Sequence, residues 1–112
     1  MKMVTAIVRP ERLDDTVDAL AAIGLDKLGV SEVTGVDGNL PMESAIDQEP
    51  GMRQPSPYKE IEVAMAGEQV PAAIAAIRAA AAEGKPGDGK IFVRELKDII
   101  RIRSGERGLK AL

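Results

Sequence analysis

The chain has no cysteine, no histidine and no tryptophan, and only one phenylalanine and one tyrosine among 112 residues. Without cysteine there is no disulfide framework and no thiolate chemistry. Without histidine the commonest metal ligand and the usual neutral-pH proton shuttle are both missing. So few aromatics leave a core built from Ala, Ile, Val, Leu and Met in small layers, which contacts between subunits would extend. A formal charge of −3, without aromatic platforms, argues against nucleic-acid binding. No apolar run is long enough to span a bilayer, and Met1 leads straight into a strand pattern without a signal peptide. A cytoplasmic protein is therefore expected, one that touches a membrane only through a target. At this length a single domain covering 1–112 is expected.

What the chain does have is glycine in one place. Gly84-Lys85-Pro86-Gly87-Asp88-Gly89-Lys90 precedes the strand-like Ile91-Phe92-Val93-Arg94. Closely spaced glycines let a backbone take positive φ and turn its N–H groups toward an anion. Lys90 adds a positive charge where the loop becomes a strand. Arg101-Ile102-Arg103 follows shortly after. On an extended strand the two guanidiniums would share a face about 6–7 Å apart. A guanidinium fork suits phosphate oxygens. One phosphorylated ligand held by the loop and the arginine pair is the expectation. The spacing also fits a P-loop, but Ile91 stands where Ser or Thr would hold Mg²⁺. A P-loop runs from strand to helix, whereas this loop runs from helix to strand. That reading is rejected.

In chain order, Met1 to Arg9 alternates as a strand, with Met3 and Ile7 opposed to Val4, Ala6 and Val8. Pro10 ends it and can open a helix, in which Leu13, Val17, Leu20 and Ala21 form the apolar stripe and Gly24 the stop. Leu28 to Thr34 reads as a second strand closed by Gly35. Between Val36 and Pro57 the pattern vanishes amid four prolines and an excess of acidic residues. A loop this long in a small domain is usually functional or disordered. Tyr58 to Met65 is a third strand, with Ile61, Val63 and Met65 facing the core. Glu68 to Glu83 reads as a helix with Val70, Ala73, Ile74 and Ile77 inward, Pro71 in its first turn and Gly84 as its cap. Ile91 to Arg94 and Ile99 to Arg103 complete the pattern as strands, the latter with Ile100 and Ile102 inward. The order is α+β: a ferredoxin-like βαββαβ plait, one antiparallel sheet with two helices on one face and a long loop between strands 2 and 3. Its other face needs a cover, which points to a homo-oligomer.

The run Gly84 to Val93, with Ile100-Arg101-Ile102-Arg103-Ser104-Gly105-Glu106-Arg107-Gly108 and the closing Ala111-Leu112, resembles the PII signal-transduction proteins. Ala6-Ile7-Val8-Arg9-Pro10, Leu13-Asp14-Asp15, Gly24 and Val30 to Gly35 are similar to that family's opening. The likeness spans the chain and weakens between Val36 and Tyr58. It implies a homotrimer with adenine-nucleotide sites between subunits, and a long T-loop, here 36–57, that contacts a transporter or enzyme. Carried over, Gly87 and Gly89 cradle phosphates with Asp88 between them. Lys90 neutralises the phosphates, and Arg101 and Arg103 reach across from the binding strands. Ile7, Gly35, Glu62 and Ala64 match positions at the adenine and ribose end, and Val36, Asp37, Gly38 and Phe92 complete the nucleotide set. Gly38, Asn39 and Lys90 would surround an effector anion. Neither a catalytic cofactor nor a metal is implied.

The departures fall around the long loop. The family usually has arginine at Gly38, glutamine at Asn39 and lysine at Leu40 and Tyr58, groups that hold Mg-ATP and 2-oxoglutarate. Gly51 stands at the modified tyrosine position, Glu49 at a modified serine, and Asp47 at an arginine that plugs an ammonium channel. ADP or AMP is then expected to bind at least as well as ATP, and bicarbonate is the candidate small anion. This is the pattern of a divergent PII-like member of the kind associated with inorganic carbon and carboxysomes. A non-catalytic regulator is expected. The competing readings are a slow nucleotide hydrolase in which Glu62 positions water, a nitrogen-regulatory PII sensing 2-oxoglutarate, and an interaction module that kept the fold and lost the ligand.

Overall fold

A computed structural model of the chain describes residues 1–35, 56–84 and 86–112; the expectations for Val36, Asp37, Gly38, Asn39, Leu40, Asp47, Glu49 and Gly51 lie outside them. Strand β1, Lys2–Val8, alternates as its sequence requires: Val4, Ala6 and Val8 point into the core. Pro10 fixes the backbone for a short 3-10 turn, Pro10–Arg12, from which helix α1 runs over Leu13–Ala22. Gly24 ends that helix with φ +86°. Its N–H donates to Ala21 O at 3.0 Å and that of Leu25 to Leu20 O at 2.9 Å, the paired bonds of a Schellman motif. Leu20 and Leu25 are both in the core, supplying the apolar contact that accompanies such an ending. Two details of the expected stripe change: Ala21 is exposed, while Thr16 is fully buried, its hydroxyl donating to Arg12 O at 2.7 Å. A threonine whose hydroxyl is satisfied one turn back packs like a small apolar residue.

Strand β2 is Gly29–Gly35 and β3 is Ser56–Met65. Ser56 and Pro57, expected in the long loop, belong to β3, where they pair with Gly35 and Thr34. Pro57 is tolerable because β3 begins there, beside a strand that is itself an edge. Helix α2 follows over Val70–Ala81, after a 3-10 turn at Gly67–Gln69 whose Gln69 side chain accepts the Ala66 N–H at 2.9 Å. It is shorter than Glu68 to Glu83. Ala82 already has extended backbone, so the helix stops at Ala81, three residues before Gly84, which does not cap it. Strand β4 is Gly89–Glu95.

The sheet order is β2-β3-β1-β4, with β1 antiparallel to both β3 and β4 and β2 antiparallel to β3. Each crossover skips one strand, which is the doubled split-βαβ arrangement of the ferredoxin-like plait. One face carries the core, where Val4, Ala6, Val8, Ile61, Val63 and Met65 meet Leu20, Ala73, Ile77 and Ala81 of the helices. Among the described residues the opposite face has no helix. In register across it lie Lys90, Ile7, Glu60 and Ser31, then Phe92, Thr5, Glu62 and Gly29, then Arg94, Met3 and Ala64.

Ile99 to Arg103 is not a strand. A single bridge joins Ile100 to Arg107, and Ile102 to Ser104 form a turn. Ile100 and Ile102 are outward, at 54 % and 103 % relative exposure. Alternating apolar residues specify a strand only where a neighbouring strand or core receives them, and among the described residues of its own chain this segment has neither.

Candidate functional site

The glycine loop is shaped by backbone that other residues cannot supply. Gly84, Gly87 and Gly89 have φ of +74°, +89° and +110°. At Gly89 the constraint is absolute, since a Cβ would lie 1.8 Å from Ile7 O. The closeness has a cause: Gly89 begins β4 opposite Val8, so the loop must turn into the sheet directly against the β1 backbone. The loop borders a cleft of about 460 Å³, lined by Ile7, Asp88, Gly89 and Lys90 together with Ile77 and Ala81 of α2.

Asp88 lines the cleft and also braces the loop. Its Oδ2 accepts the N–H of Glu83 at 3.1 Å and of Gly84 at 3.0 Å, tying the end of the loop to its start. Two arginines from the opening of the chain finish the brace. Arg9 Nη2 donates to Pro86 O at 2.5 Å, and Arg9 Nε stands 3.6 Å from a carboxylate oxygen of Glu83 and of Asp88 alike. Arg12 Nε donates to Glu83 Oε1 at 2.8 Å. Arg9, Arg12 and Glu83 were not candidates in the sequence. The signal was present only in the topology, because pairing β1 with β4 carries Arg9, just beyond Val8, to the loop that ends at Gly89.

The arginines do not join the loop within one chain. Arg101 donates from Nε to Ala111 O at 3.3 Å and from Nη2 to Leu112 O at 3.0 Å. It lines a second cleft of about 360 Å³ with Lys27, Ala64, Ile99, Ala111 and Leu112, none of which borders the first. Arg103 is exposed in the turn, so the two guanidiniums do not share a strand face. The distance between the clefts can be read along β3: Glu60 is in register with Ile7 and Lys90, and Ala64 is four residues on. At about 3.3 Å per residue that is roughly 13 Å.

Between them the uncovered face carries charge. Glu62 lies 3.7 Å from Arg94 Nη2, which also donates to the Thr5 hydroxyl at 3.3 Å. The Glu60 carboxyl is held above its ordinary range, first by a hydrogen bond to Glu62, then by burial and the charge of Glu62, with Arg94 opposing. The i, i+2 spacing of the two glutamates could have disclosed this pair. Phe92 is half-exposed beside Thr5, and Tyr58 is buried in β3, while Gly35 ends β2 opposite Ser56.

The sequence pattern described as nitrogen regulatory protein P-II matches residues 1–106. The chain belongs to the P-II family. It is 38 % identical to the nitrogen regulatory protein P-II of Rhizobium meliloti over 112 residues, covering both chains in full. It is 40 % identical to the nitrogen regulatory protein GlnK of Escherichia coli K12, again over the whole of both. Among solved structures, Arabidopsis thaliana PII bound to citrate superposes with a TM-score of 0.80 at 36 % identity, covering 98 % of this chain and 87 % of that one. P-II proteins are signal-transduction regulators, and the plait of this chain is the family's fold. Among the described residues no helix is long and apolar enough to cross a membrane.

Proposed function

We propose that the protein is a non-catalytic cytoplasmic regulator that binds adenine nucleotides between the subunits of a homotrimer. Its state would be relayed through residues 36–57 to a transporter or enzyme. One observation carries the reading: the glycine loop with Lys90 and the cleft with Arg101 share no residue, so each chain offers two halves of a phosphate site that only another copy can join. The exposed Ile100, Ile102 and Leu109 beside the arginines are apolar surface for that contact. ADP and AMP bind at least as well as ATP, because Gly38 and Tyr58 bring no charge to the last phosphate. Bicarbonate is the proposed second ligand, close to Lys90, Gly38 and Asn39. If so, coupling is reciprocal, and each ligand tightens the other by the same factor.

A second reading has its own support: the similar relatives are nitrogen regulators, which favours 2-oxoglutarate as effector. One experiment separates the readings. Calorimetric titration of AMP, ADP and ATP, with bicarbonate or 2-oxoglutarate in parallel at constant pH and ionic strength, is combined with light scattering and a phosphate-release assay. A trimer whose ADP affinity rises with bicarbonate supports the proposal. A response to 2-oxoglutarate alone moves the protein to the nitrogen-regulatory reading. Steady phosphate release would make it a slow hydrolase, and a monomer without nucleotide binding would leave only an interaction module.

A further inference from the structure

We infer that Arg9 is a positioning residue of the anion loop, whose guanidinium cancels the Asp88 charge that the loop needs for its own shape. The inference rests on the reading of the loop as a phosphate site and adds to it a residue that touches no ligand.

The loop contains a conflict. Its glycine N–H groups and Lys90 attract an anion, yet a carboxylate stands between Gly87 and Gly89. The carboxylate is there for geometry, since one oxygen of Asp88 takes the N–H groups of both Glu83 and Gly84 and closes the loop. A second acid, Glu83, stands beside it. Two arginines are among the groups facing this pair. Arg12, at the start of α1, is shared between Glu83 at 2.8 Å and Asp15 at 3.7 Å. Arg9, at the end of β1, lies between the two acids, 3.6 Å from each, and is anchored on Pro86 O. Its side chain is 20 % exposed and those of Glu83 and Asp88 are 15 % and 25 % exposed, so water screens the cluster only partly. With Arg9 in place Asp88 can shape the loop without repelling what the loop binds.

The test uses Arg9→Gln, which removes the charge but keeps donors, and Asp88→Asn, whose single amide oxygen can still accept both N–H groups. ADP affinity is measured by calorimetry for the wild type, each variant and the double variant, with AMP and ATP as comparators and melting curves as the check on folding. Arg9→Gln should weaken ADP about tenfold, the effect of one partly screened charge near a multivalent anion. The loss should grow from AMP to ADP to ATP. The double variant should recover to within about threefold of wild type, because the local charge is again balanced. Wild-type ADP affinity in Arg9→Gln, or equal losses for all three nucleotides without recovery in the double variant, overturns the inference and leaves Arg9 a tether. Should Arg9→Gln not fold, Asp88→Asn alone decides: severalfold tighter ADP supports the role and unchanged affinity refutes it. A wild type that binds no nucleotide refutes the phosphate site itself, which is a different result.

Discussion

Residues 84–90 and residues 99–112 both present cations suited to phosphate, yet the chain holds them by different means. The glycine loop, closed by its own Asp88, is fixed in place from outside: by β1 backbone against Gly89, by Arg9 on Pro86, and by Arg12 on Glu83. The arginine lobe is fixed largely by its own bonds. Arg101 N–H donates to Glu106 O, Gly105 N–H to Arg101 O and Gly108 N–H to Ile99 O, while Arg107 pairs with Asp98. Its large apolar side chains Ile100, Ile102 and Leu109 are exposed at 54 %, 103 % and 62 %. A loop braced by the fold can present a ready-made anion site in each chain. A lobe closed on itself with its apolar side outward is finished as backbone and unfinished as surface, which is why its cover is proposed to be another copy.

The sharpest way to break this comparison is to place the same small side chain in both regions. Gly89→Ala sets a Cβ 1.8 Å from Ile7 O at φ +110°. The β1–β4 pairing must then open, at a cost of about 3 kcal/mol or more in urea denaturation. Gly105→Ala, at φ +74° with no atom within 4 Å of the added carbon, carries only the left-handed backbone penalty of about 1 kcal/mol. Equal losses would mean the loop is no more constrained by the fold than the lobe.

The arginines sharpen the comparison from the ligand side. Arg103 is exposed, so Arg103→Ala should change stability by less than about 0.5 kcal/mol. It should also weaken AMP, ADP and ATP alike, by about one to two decades for a lost charge-assisted contact. Arg101→Ala should show a similar binding loss and, in addition, about 1 kcal/mol of destabilisation, since it strips donors from Ala111 O and Leu112 O. Titration and melting of both variants separate the two roles. If Arg101→Ala melts like wild type, the tail contact contributes nothing to the lobe.

Much of the loop could be read in the sequence, because glycine spacing is a local statement about φ. The same is true of Gly24 ending α1 and of Pro10 ending β1, where one residue dictates its own backbone. The strands of the sheet were legible for a related reason, since Val4, Ala6 and Val8, like Ile61, Val63 and Met65, alternate into a core that exists. Ile100 and Ile102 alternate equally well and fail, because alternation says which side chains share a face and not whether anything lies opposite. The brace was illegible for the reverse reason. Arg9 and Asp88 are 79 positions apart by their numbering, and only the β1–β4 register brings them together.

The smallest effect tests the strip of β3 that joins the two regions. Glu60 stands in register with Lys90, Glu62 follows on the same face beside Arg94, and Ala64 lines the arginine cleft. The Glu60 carboxyl is held above its ordinary range by its hydrogen bond to Glu62, by burial and by the charge of Glu62, against the pull of Arg94. A carboxyl raised in the folded state favours folding while it keeps its proton. That stability is complete below the ordinary carboxylate pKa of the unfolded chain and is lost as pH rises through the folded value. Once pH has risen through that value the ionised Glu60 faces Glu62 and repels it, so the wild type should carry a penalty at high pH that it lacks in acid. Glu60→Gln keeps a donor toward Glu62 at every pH. It should melt about 1–3 °C above wild type at pH 7, and the difference should shrink toward zero by about pH 4. Glu62→Gln should gain less, because it removes the repulsion together with the ion pair to Arg94. Melting curves of the three proteins at matched ionic strength measure this directly. A Glu60→Gln variant no more stable than wild type at pH 7 would show that Arg94, 3.7 Å from Glu62, already offsets the repulsion, and that the strip between the two regions is electrostatically at rest.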